Sequence, residues 1–326
     1  MKGVLTLLFF VAGSCNCVLA VQNHADISTA SYRTYSFKDG TSLSYSKPGF
    51  LKTLGAGPAD FGSFVSDSFK KDKLPWLAAI AASTLILIEY DQEIYNGTKR
   101  LGKKFSISTE DKTTTFLKVG GVPVFRGPTD LGSAMYFIGD GWVSIGLFGT
   151  LEAYGLLKDD WRSQTTAHQL VKGLLLTGFA TASIKNITGR ETPSAASAPR
   201  GVWRFFPGFK EYIKHRTRYD AFPSGHLATA MMTLTVMTEN YPEKKYIKPL
   251  GYTLMAALSF QMVNNSVHWA SDYPLGLAIG YGIGKAVAVN GRASARRSGP
   301  QKTSGLNFYP YVTPDGSVGG GLAYRF

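Results

Sequence analysis

Pro223-Ser224-Gly225-His226 opens directly into Leu227-Ala228-Thr229-Ala230-Met231-Met232-Thr233-Leu234. That stretch is a turn feeding an apolar helix. Ser224 is a preferred N-cap and Pro223 a suitable entry residue. Gly225 lets the backbone approach a ligand closely. The unpaired N–H groups of the new helix favour an anion, and His226 would sit beside it as a proton donor. An ordinary capped helix with a surface histidine is the plain alternative.

Two neighbouring segments complete the picture. About forty residues downstream comes His268-Trp269-Ala270-Ser271-Asp272. On a helix, a four-residue spacing places His268 and Asp272 on one face. A carboxylate on one ring nitrogen fixes the tautomer and leaves the other nitrogen free to attack. Upstream, Lys185-Asn186-Ile187-Thr188-Gly189-Arg190-Glu191-Thr192-Pro193 closes an apolar stretch with two cations. Lysine offers phosphate a point charge and arginine a fork. Together these are the parts of a phosphoryl transfer that passes through a histidine.

The helix at 227–237 is one of six apolar stretches; the others cover 76–90, 135–157, 170–184, 250–263 and 275–289. Turn and charge clusters separate them, with no strand alternation of comparable length between them. The expected fold is all-α, a six-helix bundle. Residues 71–291 form its domain, after a polar, loosely structured N-terminal arm at 21–70. Residues 292–305 read as a basic Gly/Ser-rich linker, and 306–326 as a strand, turn and strand, a hairpin-like tail.

The chain has 326 residues and a net charge of +13, with 17% charged residues, below the usual quarter. That excess suits phosphate groups or an anionic membrane surface. The positive charge is spread thinly, without zinc-finger spacing or a basic helix, so nucleic acid is not an expected partner. Small residues recur in all six stretches, which suits close helix packing in a membrane and equally in a tight soluble bundle. Membrane embedding or close association is the expectation. Lys2 and the apolar run to Ala20 read as a signal peptide, residues 1–20, so the protein is expected in the cell envelope. A retained anchor, or a lipoprotein box at Ala12-Gly13-Ser14-Cys15, are the competing readings. Both cysteines, Cys15 and Cys17, lie in this segment, so no cysteine metal site or disulfide is expected in the processed chain. Of the other histidines, His24, His168 and His215 show no convincing partner.

With those segments in hand, the chain resembles the type 2 phosphatidic acid phosphatases, whose fold is shared with vanadium haloperoxidases and bacterial class A acid phosphatases. The family signature is Lys-x6-Arg-Pro, Pro-Ser-Gly-His and Ser-Arg-x5-His-x3-Asp. Lys185 and Pro193 match the first block, Pro223 to His226 the second, and His268 and Asp272 the third. The resemblance implies a metal-independent phosphatase without a cofactor. It makes His268 the nucleophile, Asp272 its orienting group and His226 the proton donor, with Lys185, Ser224 and the Gly225 backbone holding phosphate. The substrate class it implies is a phosphomonoester or diphosphate on a lipid or isoprenoid, with the active site facing the periplasm or exterior. A vanadate-dependent haloperoxidase and a catalytically degenerate envelope protein of the same fold are the alternatives.

Two positions depart from the pattern. The first-block arginine falls on Thr192, and the third-block serine and arginine fall on Gln261 and Met262. Arg190 is therefore expected to bind phosphate in their place. Asn264, Asn265 or a cation from Arg200, Arg204, Lys214, Arg216 and Arg218 would supply the rest.

Overall fold

A computed structural model of the chain describes residues 32–119, 122–292, 305–312 and 318–325. The expected signal peptide, the start of the arm and most of the linker lie outside the described residues, as do Cys15, Cys17 and His24. Most of the described residues lie in helices, and the strands are few and short.

In chain order, the arm carries β1 (Tyr32–Ser36), β2 (Ser42–Ser46), α1 (Phe50–Gly55) and α2 (Gly57–Ser68). Then come α3 (Leu74–Lys104), β3 (Thr113–Val119) and β4 (Val122–Pro128). The helices that follow are α4 (Leu131–Phe137), α5 (Gly141–Leu157), α6 (Trp161–Thr188), α7 (Phe209–Lys214), α8 (Gly225–Asn240), α9 (Ile247–Asn264) and α10 (Tyr273–Asn290). Last are β5 (Gly305–Val312) and β6 (Val318–Arg325). Among the described residues, strands pair with their chain neighbours as the antiparallel hairpins β1–β2, β3–β4 and β5–β6.

Helix α8, which begins at the glycine turn, is the pillar of the fold. One face packs with α6 and α10 around Leu170, Met232, Val236, Ile279, Ile283 and Val287. The other packs with α9 around Leu227, Leu234, Met255, Leu258 and Met262. A fully buried side chain of this kind contributes roughly 1.5–3 kcal/mol. The α8–α10 contact is the most extensive between helices. Gly276 and Gly280 make it possible: a Cβ at either would run into the Ser224 or Ala228 backbone carbonyl.

Each apolar stretch falls on helix, but the arrangement is richer than six rods. The stretch at 135–157 is broken in two. Asp140 turns out of helical geometry and its side chain accepts from Trp142 N at 3.0 Å, so α5 starts afresh. Where a loose arm is expected, its described residues form β1, β2, α1 and α2. Its strands are too short to register as alternation, and its anchors are tertiary. Tyr45 is fully buried, with its hydroxyl on Asn240 Oδ1 at 2.9 Å. Asp60 pairs with Lys172 inside the bundle, which also accounts for the charge in the third apolar stretch. His168 has a partner that sequence spacing could not reveal, Glu152 at 3.0 Å.

Among the described residues, one helix, spanning Lys71–Lys104, is long and apolar enough to cross a membrane by length and composition. Its most apolar window is only 11% buried against the rest of the protein.

Candidate active site

The three signature segments converge at one end of α8. Helix α6 delivers Lys185 in its last turn and stops at Gly189, which takes a left-handed conformation (φ 51°). The chain then runs through Arg190 and Thr192 toward a loop that leads back into α8. Ser224 N donates to the Asp272 carbonyl at 3.0 Å, tying the glycine turn to the histidine loop.

His268 is not on a helix. It precedes a single 3-10 turn, Ala270–Asp272. The predicted pairing with Asp272 forms all the same, because the turn folds the carboxylate back over its own start. Asp272 Oδ2 lies 3.3 Å from His268 Nδ1 and accepts from Trp269 N at 2.8 Å. His268 is 2% exposed. The His226 ring stands nearly perpendicular to it, ring centres 6.3 Å apart, and packs on Tyr136 at 4.5 Å. Burial, with His268 and Lys185 facing it, pushes the His226 imidazole down to about 3, only partly offset by Asp220.

Arg190 occupies a different place from the phosphate cradle assigned to it by sequence. Its side chain is wholly buried behind the histidine. One guanidinium nitrogen donates to Asp272 Oδ1 and Ser271 Oγ, both at 2.6 Å. The other donates to Asp91 Oδ2 at 2.6 Å and the Arg200 carbonyl at 2.9 Å. Trp203 and Trp269 flank it at 4.9 and 5.5 Å. The Arg190 fork is thus committed to two carboxylates of the protein, one of them the partner of His268. Ser224 is likewise turned inward: its hydroxyl caps α8 at Leu227 N and reaches Met262 Sδ at 3.5 Å.

A cleft of about 330 Å³ opens beside His226, and Lys185, Gly225, Thr181, Tyr212, Arg216 and Asp220 are among its walls. Lys185 Nζ reaches the Asp220 carbonyl at 2.8 Å and its carboxylate at 3.2 Å. Of the sequence-predicted residues, Lys185, Gly225 and His226 thus meet at the cleft. His268, Asp272 and Arg190 form a buried block behind it. Among the described residues, no group of three or more His, Cys, Asp or Glu side chains gathers as a metal site requires.

Residues 167–294 match the PAP2 superfamily model. The matched segment contains every predicted site residue, together with Tyr212, Arg216 and Asp220. A curated relative, the lipid A 1-phosphatase of Porphyromonas gingivalis, is 33% identical over 70 residues, 21% of this chain. The match spans 16% of that relative's length. No solved structure matches the chain. Two supporting groups lie outside the matched segment, Asp91 on α3 and Tyr136 on α4. Sequence carried a signal for Asp91, a carboxylate at the edge of an apolar stretch, where an ionisable group is costly without a partner. Tyr136 carried none.

Proposed function

We propose that this protein is a phosphatase that hydrolyses a phosphomonoester or diphosphate on a lipid or isoprenoid through a phosphohistidine at His268. The observation that carries this reading is the pair of imidazoles 6.3 Å apart, one of them backed by Asp272. Ring centres at that distance leave room for a phosphoryl group between the two imidazoles.

In the first half-reaction the free ring nitrogen of His268 attacks phosphorus. The bond from phosphorus to the leaving oxygen breaks, and His226 gives that oxygen its proton. In the second, water attacks the phosphohistidine, His226 takes the water proton, and the phosphorus–nitrogen bond breaks to release phosphate. Asp272, held by Arg190, keeps His268 in the attacking tautomer. An imidazole pushed down in this way fits the base of the second step. For the first step, the incoming phosphate's negative charge favours a proton on it.

The substrate class rests on three supports: the apolar outer face of α3, the PAP2 match and the phosphorylated lipid in the relative's name. The exported orientation, active site toward the periplasm or exterior, rests on the signal-like N-terminus. The test is acid-quench trapping of labelled phosphoenzyme from a lipid phosphate, with and without chelator. Label on wild type that is absent from His268→Ala is the expected result. Full turnover in His268→Ala would sink the mechanism.

A further inference from the structure

We propose that Arg216 supplies the guanidinium that binds the substrate phosphate, and that Asp220 is an internal anion held by Arg216 and Lys185 until that phosphate displaces it. The proposal rests on the phosphatase reading and deepens it.

The positions where the family has arginines offer no charge here. Met262 is buried under Ser224. Thr192 is buried too, and its role is mechanical. Its N–H and its hydroxyl both donate to the Thr217 carbonyl, at 2.9 and 3.0 Å. Four residues on, Ala221 N donates to the Arg190 carbonyl at 3.1 Å, and Asp220 bridges to Arg190 along the backbone. The segment from 217 to 221 is therefore stitched at both ends to the chain that follows Lys185. That stitching holds Arg216 at the cleft.

The other cations of this segment are occupied or elsewhere. Arg200 pairs with Glu89 and Arg204 with Glu191. Lys214 and Arg218 are not among the cleft walls, whereas Arg216 is.

At that wall the cations already hold an anion. Asp220 Oδ1 accepts from Tyr212 OH at 2.6 Å and pairs with Lys185 at 3.2 Å, while Oδ2 pairs with Arg216 at 3.4 Å. A planar carboxylate with donors on both oxygens resembles two oxygens of a phosphate group. The link to Arg216 is long and its side chain is 65% exposed, so exchanging it for a phosphate oxygen costs little. The Asp220 backbone stays pinned, so displacement needs only side-chain rotation.

The experiment titrates inorganic phosphate into the detergent-solubilised full chain, with calorimetry as readout. Arg216→Gln is expected to weaken phosphate binding about tenfold, the usual scale for a charge-assisted hydrogen bond, and Arg216→Lys to recover part of it. Asp220→Asn, which keeps the shape and removes the competing charge, is expected to tighten binding severalfold. The opposite signs matter, because structural damage would weaken binding in both variants. Unchanged binding in Arg216→Gln, or weaker binding in Asp220→Asn, overturns the proposal. Should Arg216→Gln fail to fold, the comparison of wild type with Arg216→Lys and Asp220→Asn decides. A wild type that neither binds phosphate nor hydrolyses phosphoesters removes the phosphatase reading itself, a result distinct from failure of Arg216 alone.

Discussion

Arg190 donates to Asp272 Oδ1 at 2.6 Å, and both side chains are fully buried. Asp272 therefore presents one oxygen to a guanidinium and the other to His268. Arg190 in turn is shared with Asp91 on α3, so the helix with the most exposed apolar face is tied directly to the histidine loop. Replacing Arg190 by Met strands two buried carboxylates. The expected loss is about 3–5 kcal/mol of stability, read by denaturant unfolding. In whatever folded fraction remains, kcat falls more than KM rises, because the lost contact orients His268 rather than holding substrate. A large KM change at constant kcat would return Arg190 to the phosphate cradle.

Acid sensitivity follows from His226. The folded imidazole is pushed down to about 3, against 6.5 in an unfolded chain. Between those values the unfolded state binds more protons, so this group's contribution to stability rises with pH across the window and is lost as pH falls toward 3. Thermal unfolding from pH 4 to 7 should show a shallower slope in His226→Gln than in wild type. Identical slopes would mean that His226 is not desolvated. Phosphate binding should raise this imidazole's titration midpoint, measurable by NMR.

Thr192→Val removes one of two hydrogen bonds to the Thr217 carbonyl while keeping the volume. The stability cost is about 0.5–1.5 kcal/mol. The sharper expectation is kinetic: a looser Arg216 raises KM for any phosphoester and leaves kcat nearly unchanged. Steady-state kinetics of the purified variant check this.

The proposal that α3 attaches the protein to a membrane predicts a fractionation signature. The protein should stay with membranes through high salt and alkaline carbonate and be released by detergent. Release by salt alone would reduce the attachment to the +13 net charge acting on an anionic surface.

Much of this protein could be read along the chain. Apolar runs of helical length specify helices wherever they occur, and the Ser224 cap and Gly225 turn are local events. The spacing of His268 and Asp272 was enough to pair them, although a 3-10 turn and not an α-helix does the pairing. Local chemistry of this kind depends on residues a few positions apart, so the sequence alone determined the helical character, the glycine turn and the His–Asp couple. The tertiary structure decided the partners. Asp91 lies 99 residues from Arg190, and a buried guanidinium is stable only where distant carboxylates and indoles meet it. The same assembly turned Arg190 inward, set Thr192 to gripping a loop, and brought Arg216 and Asp220 to the cleft. Which of several cations faces a ligand is a matter of packing and of charges satisfied across space, and no spacing along the chain records it.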